Sequence, residues 1–465
     1  MKLKRIITWF VILLLIISML SGCDLLDQKD DQEEEPYRFI YFYYPRDGNQ
    51  VLKRLILDYN NSQEELYQQL TTQSPEDSTI PKPVRIEGLE GSGDRIAFFE
   101  KLEELAKEGE TVPDLILLHD TWLMKMVAEE RILPLDGGLS SSKKNEFFNG
   151  MNLAMTHNNK IYGIPFWQDL PLLYYRKDLV ETPPTSWTEL AQLANVISDA
   201  QEMEHGFVFP GVSQENNAIF LNSIWSYYGA TPDFSEKEIS FDEDSMLSAW
   251  EPLISMVNGG SLNSNVTSMS AEDCRGVFEA GEAVFMWNWS YASRLFQNEE
   301  SPLAGKVGIS PLPVSDQGGL AISGYALTIS KDSKDIPETW NFIQYLVSGE
   351  SQGELRDSGL LPAKKSLYQA EWLSRNGLPD DLPAMMDSGR TINPGSHVEA
   401  ALTMMSEATS MAVSQNKTTN DLIMFIKEGI VMEEPEETVS PDDETTEGEA
   451  TDDEPAEGES PEEEQ

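Results

Sequence analysis

Residues Asn159 to Leu179, NKIYGIPFWQDLPLLYYRKDL, place Trp167 and Asp169 on a turn through Gly163 and Pro165 that opens a largely apolar run, Leu170 to Tyr175. An indole face covers the C–H groups of a polyhydroxylated ligand, and a carboxylate beside it accepts two hydroxyl hydrogen bonds. A core strand after a turn, with an exposed Asp, would leave the same pattern. Asp120 and Trp122 repeat the pairing directly after Asp114 to Leu118, a continuous apolar run with the pattern of a buried parallel strand. Open parallel sheets bind ligands beyond the C-terminal ends of their strands, which puts both residues in a ligand-facing place; a helix N-cap role for Asp120 is equally compatible. Ala283 to Tyr291 ends in Trp287, Trp289 and Tyr291. That much aromatic surface is costly to expose, so it lines either a core or a cleft.

Other chemistries leave no trace. There is no GxSxG elbow, no HExxH, no phosphate loop and no dinucleotide-binding glycine fingerprint. The four histidines, His119, His157, His205 and His397, are isolated, and the two cysteines have no metal-ligand spacing. Carboxylates are too abundant for a glycosidase pair to be singled out. The sequence nominates no catalytic residue, metal site or cofactor, and Cys274 reads as a structural thiol.

The elements that must position these residues follow an α/β order. Tyr37 to Tyr44 is a strand, and Asp47-Gly48-Asn49 caps a helix whose apolar positions are Val51, Leu52, Leu55, Ile56 and Tyr59. Residues 60–83 read as a loop or a frayed helix extension. Val84 to Leu89 is a strand, and Asp94 caps a helix with Ile96, Phe99, Leu102, Leu105 and Ala106 on its apolar face. After the central stretch, Ser186 and Glu189 form a capping box. Strands at Phe207 to Phe209, Ala283 to Trp287, Val307 to Pro313 and within Leu320 to Ser330 alternate with helices, and the remainder to about Met432 is helical.

With 465 residues, two or three folding units are expected. The net charge of −47 argues against nucleic acid as a partner. Seventeen of the acidic residues lie in Glu433 to Gln465, which has no Lys or Arg and is expected to be a disordered acidic tail. At the other end, Lys2, Lys4 and Arg5 precede an uncharged apolar run, Ile6 to Leu20, short for a spanning helix and suited to a signal peptide over residues 1–22. Leu20-Ser21-Gly22-Cys23 resembles a bacterial lipobox, which implies lipidation of Cys23, an acidic tether over residues 23–36 and extracytoplasmic attachment to the cell membrane.

Taken in order, PDLILLHDTWLMKMVAEERILPLD, NKIYGIPFWQDLPLLYYRKDL with PPTSWTEL, FEAGEAVFMWNWSYA, VGISPLPV with GGLAISGYALTISK, and LLPAKKSLYQ resemble the extracellular solute-binding proteins, family 1, of ABC importers, the trehalose/maltose-binding group. The resemblance covers residues 37 to 432. It implies a two-lobe α/β fold of the periplasmic-binding-protein type (type II), with three interlobe crossovers and a central cleft. Lobe 1 would comprise 37–168 and 319–355, and lobe 2 would comprise 169–317 and 356–432. It also implies a monomeric, non-enzymatic protein that captures a carbohydrate, a di- or oligosaccharide, by hinge closure and delivers it to a membrane permease. The motif positions that contact sugar in that group fall on Asp120, Trp122, Trp167, Asp169, Trp289, Tyr291, Gly324, Tyr325 and Arg390. Thr391 stands where that group has a proline after the arginine, and Ser290 replaces a common proline. A secreted carbohydrate-active enzyme and a binding protein for a membrane sensor or for a non-sugar solute are the alternatives.

Overall fold

Arg38–Pro45 (β1) is aromatic and β-branched, and its last four residues are buried. It lies between Val84–Gly91 (β2) and Leu115–His119 (β3), parallel to both. The computed structural model describes residues 36–428 except 47–49, 109–111, 233, 235–238, 297, 317, 393–396 and 415–416. The signal segment 1–22, Cys23, the tether to residue 35, the cap at 47–49 and the acidic tail lie outside the described residues.

The helix after β1, Val51–Gln73 (α1), buries Val51, Leu52, Leu55, Ile56 and Tyr59, the five expected positions. It then continues to Gln73, so of the two readings of residues 60–83, a loop or a frayed helix extension, the extension holds over 60–73. Its second half has no buried residue and is built from good helix formers, with Gln68 Nε2 donating to Glu64 Oε1 at 3.0 Å across one turn. Gln50, left-handed at φ 53°, is the N-cap residue and supplies no side-chain bond. In the next helix, Arg95–Glu108 (α2), Asp94 Oδ1 accepts from Ala97 N at 3.0 Å as expected. The buried face is shifted: Phe98 faces the core, while Ile96 is 59% exposed and Ala106 is exposed. Phe98 packs on Tyr43 of β1 with ring centroids 4.4 Å apart, and the larger ring takes the core position.

β3 leads directly into Asp120–Ala128 (α3). Two two-residue strands, Thr156–His157 (β4) and Lys160–Ile161 (β5), form a small hairpin before Ile164–Asp169 (β6). The first sheet is completed by Ser323–Ile329 (β11), antiparallel to both β3 and β6, and by Leu361–Pro362 (β12) at its edge. Its order is β12-β6-β11-β3-β1-β2. β12 lies beyond residue 355, so this sheet draws on chain past the expected limit of the first lobe.

The second sheet has the order β10-β7-β9-β8, from Val307–Pro311 (β10), Pro171–Arg176 (β7), Ala283–Trp289 (β9) and His205–Val208 (β8). Only Leu170, fully buried, separates β6 of the first sheet from β7 of the second. The chain returns through residues 312–322. Helices Trp187–Gln201 (α4), Gln214–Tyr228 (α5) and, further along, Ala271–Glu279 (α7) pack on the second sheet, while Glu243–Asn258 (α6) packs on α4 and α5. After Ile336–Leu346 (α8) and Gly349–Asp357 (α9), the C-terminal helices Val398–Val413 (α10) and Thr419–Glu428 (α11) pack on α5 and α6. The capping box expected at Ser186 is half formed: Ser186 Oγ accepts from Glu189 N at 3.1 Å, but Glu189 Oε2 accepts from Thr185 N, one residue too early. Cys274 is a buried free thiol, its pKa pushed up to about 12 chiefly by burial.

Candidate binding site

Three strand ends meet beside Leu170. The pairings Tyr325↔His119, Tyr325↔Trp167, Gly324↔Gln168 and Ser323↔Asp169 bring the C-terminal ends of β3 and β6 to the N-terminal end of β11. The approach is close. A Cβ on Gly324 would lie 2.4 Å from Trp167 O and 3.0 Å from Gln168 Cα, so glycine is required there. Asp120, Trp122, Trp167, Asp169, Gly324 and Tyr325 are thus gathered into one cluster from separate parts of the chain.

Asp120 is 5% exposed and opens α3, while His119 takes the N-cap position that Asp120 was considered for. His119 Nδ1 accepts from Thr121 N at 3.4 Å and lies 2.8 Å from Thr121 Oγ1 and 3.2 Å from Asp120 Oδ1. His119 Nε2 lies at hydrogen-bond distance from Ser323 Oγ, 2.9 Å, and Ser323 Oγ donates to Asp120 Oδ1 at 2.6 Å. The residue types are those of a hydrolytic triad, wired in the wrong sense. Ser323 gives its proton to the carboxylate instead of the imidazole, and its side chain is 1% exposed. The relay instead fixes Asp120, whose Oδ2 is buried with no hydrogen-bond partner among the described residues. Burial raises the Asp120 carboxyl, against His119 and the bonds from Ser323, Gly324 and Thr121, which lower it. Asp169 is half-buried, and its pKa is pushed up to about 6: burial raises it most, His119 lowers it, Asp120 raises it, and a hydrogen bond from Trp167 lowers it. Two carboxylates short of donors are a receptor for hydroxyl groups.

Aromatic rings form the wall. Trp167 and Tyr325 lie 4.8 Å apart between centroids, His119 stands edge-on to Tyr325 at 5.1 Å, and Trp122 edge-on to it at 6.3 Å. Burial holds the Tyr325 phenol well above its ordinary value, reinforced by Asp169, Glu215 and Asp120.

The remaining expected residues sit apart from that wall. Trp289 is half-buried, pairs with Pro171 just past the crossover, and lies 5.1 Å from Trp287. The Tyr291 hydroxyl donates to Glu272 Oε1 at 2.7 Å, so it is engaged by the first turn of α7. Arg390 is exposed. Its backbone bridges the return crossover, Arg390 N to Leu320 O at 2.9 Å and Ile322 N to Arg390 O at 3.0 Å, and its guanidinium makes no hydrogen bond or ion pair among the described residues. Among the described residues no group of three His, Cys, Asp or Glu side chains could hold a metal ion.

Sequence reasoning missed His119, Ser323, Glu215 and Arg95. His119 and Ser323 are neighbours of residues that were found, and their adjacency was the available signal. Glu215 and Arg95 carry no signal; Glu215 reaches the cluster through Trp122 Nε1, and Arg95 reaches Glu215 by a side-chain bond between distant segments. A groove of about 380 Å³ that includes Arg38, Tyr59, Tyr67 and Glu338 shares no residue with the cluster.

A family model of bacterial extracellular solute-binding proteins matches residues 91–353. A "Probable ABC transporter-binding protein" of Deinococcus radiodurans is 28% identical over 235 residues, covering 48% of this chain and 56% of that protein. The chain therefore spans little more than half of that relative. A maltooligosaccharide ABC transporter solute-binding lipoprotein of Streptococcus pneumoniae is 22% identical over 359 residues, covering 73% and 81% of the two. Among solved structures, maltose-bound MalE3 of T. maritima aligns with a TM-score of 0.66 at 24% identity over 84% of this chain and 98% of that one. The sugar-binding protein MalE of Xanthomonas citri aligns at 0.65 and 19% identity, over 84% and 96%. These likenesses show the fold: two α/β lobes of the maltose-binding type.

Proposed function

The chain belongs to the bacterial extracellular solute-binding proteins, and on that footing we propose that it captures a di- or oligosaccharide between its two lobes and hands it to an ABC permease. The carrying observation is the buried Oδ2 of Asp120, without a hydrogen-bond partner among the described residues, set beside the ring wall of Trp122, Trp167 and Tyr325 at the lobe junction. A sugar supplies what each part lacks: hydroxyl donors for Asp120 and Asp169, and C–H faces for the rings. The names of the relatives, maltose- and maltooligosaccharide-binding proteins, support the same class.

Trp289, just across the crossover on the second sheet, contacts the sugar from the opposite lobe, with Tyr291 beside it. Gly324 lets β11 approach closely enough to present Tyr325, and Arg390 reaches the ligand from the edge of the return crossover. Leu170, residues 312–322 and the segment after Pro362 are the three connections about which the lobes turn. Ligand contacts to both lobes favour the closed form by their differential affinity, and no covalent step is required. The protein acts as a monomer tethered outside the cell through a lipidated Cys23.

A thermal-shift screen of oligosaccharides that includes maltotriose checks this reading. At least one sugar raises the melting temperature, and Asp169→Ala abolishes the shift. A broad sugar panel without response, alongside a peptide or metal that does respond, sinks it. Labelled palmitate is incorporated into the wild-type chain and not into Cys23→Ala; equal labelling removes the anchor.

A further inference from the structure

Arg95 is the first residue of α2, on the first lobe, yet all three of its guanidinium nitrogens are taken by the second. Nε bonds Glu215 Oε1 at 3.1 Å, Nη2 bonds Gln214 Oε1 at 3.1 Å and Nη1 bonds Glu399 Oε1 at 3.1 Å. Arg95 is 8% exposed. Gln214 and Glu215 open α5 and Glu399 lies in the first turn of α10, both helices of the second lobe. Lys125 of α3 adds a looser contact to Glu399 at 3.6 Å while pairing with Glu129 at 2.6 Å.

This placement is uneven in its energetics. A cation at the start of α2 opposes that helix's dipole, whereas carboxylates in the first turns of α5 and α10 are favoured. Within its own lobe Arg95 has no acceptor among the described residues. Only the facing lobe supplies its partners, and a guanidinium with three of them at hydrogen-bond distance is held much more strongly than an exposed pair. Glu215 has a second task. The same Oε1 lies 3.4 Å from Trp122 Nε1, at the far end of an indole that stands edge-on to Tyr325.

We propose that Arg95 and Glu215 form a latch between the lobes that also positions Trp122, so that docking of the lobes and completion of the aromatic wall are one event. The latch rests on the solute-binding reading for its purpose, and not for its existence. Part of the free energy of closure comes from protein–protein ion pairing that needs no ligand contact. Glu215 and Arg95 act here as positioning residues. Closing them slows solute release more than it speeds capture, and salt weakens the effect.

The test is hydrogen exchange on the full chain without added sugar, at low and high sodium chloride, comparing wild type with Arg95→Gln. Exchange rises several-fold in peptides covering residues 214–217 and 398–402, while β3 and β9 stay protected. High salt moves the wild type the same way and leaves the variant unchanged. Equal exchange in both proteins at low salt overturns the proposal. If Arg95→Gln fails to fold, Glu399→Gln, at a more exposed partner, decides: faster exchange at the start of α10 supports the latch, and no change overturns it. With maltotriose as probe, Glu215→Gln weakens affinity about tenfold, mainly through faster dissociation. A loss confined to the association rate overturns the positioning role. If the wild type does not bind maltotriose, the sugar that responds in the panel takes its place as probe, and if none responds the ligand assignment fails while the exchange readout still judges the latch.

Discussion

Two groups of buried tryptophans divide this molecule. In the second lobe, Trp187, Trp225, Trp250 and Trp287 are fully buried and their indole nitrogens have no hydrogen-bond partner among the described residues. At the lobe junction, Trp122 donates to Glu215, and Trp167 lies close enough to Asp169 to lower its carboxyl. An unpartnered buried N–H costs about 1–3 kcal/mol, and the rings of the first group outweigh it by the area they remove from water. There tryptophan serves as volume. At the junction its orientation matters, and each ring has a carboxylate near it. The same residue type therefore falls into two groups by whether its N–H is answered.

The largest test of this contrast is Trp287→Ala. With no polar partner to lose, it removes packing alone and lowers stability by about 3–5 kcal/mol, read as a fall in the urea midpoint. A cost below about 1 kcal/mol would mean the ring is not core volume. Next comes Asp169→Asn. Burial raises this carboxyl to about 6 in the folded chain, so the folded state binds the proton more tightly than the unfolded state does. Stability consequently falls as pH rises from about 4 through 6, by about 2–3 kcal/mol in total. The amide keeps an acceptor for Trp167 and removes that slope, so the variant is the more stable protein at neutral pH. Parallel pH profiles for wild type and variant would show that Asp169 does not carry the penalty. The smallest effect distinguishes the groups most sharply. Trp250→Phe and Trp122→Phe each cost about 1–2 kcal/mol of packing, but only Trp122→Phe slows sugar-induced stabilisation or weakens it. An equal loss of ligand response in both variants would erase the distinction.

How far the site was legible depended on chain continuity. Asp120 and Trp122 were readable because a buried strand runs straight into a helix, and Trp167 and Asp169 because a turn precedes an apolar run. Trp289 was readable as an aromatic at a strand end, but its place on the second sheet, paired with Pro171, sets it apart from the ring wall. The role of Asp120 as a possible cap was not realised, because His119 one residue earlier has the extended backbone and the ring nitrogen that meet Thr121 N. The phase error on α2 has a similar origin. Ile96 and Phe98 are both apolar, and Tyr43 on β1 selects the ring that can stack on it.

The sequence by itself determined the alternation of strands and helices, the aromatic and acidic pairs at strand ends, and the motif order that marks the family, since all of these are written in local spacing. Only the tertiary structure decided that Ser323 would wire His119 to Asp120, that glycine at 324 would let β11 close on β6, and that Arg95 would find its acceptors across the lobe junction. The physical reason is that hydrogen bonds and ion pairs act over about 3 Å, whereas Arg95 and Glu399 are 304 positions apart in the chain. No local pattern specifies that meeting until the two sheets have packed.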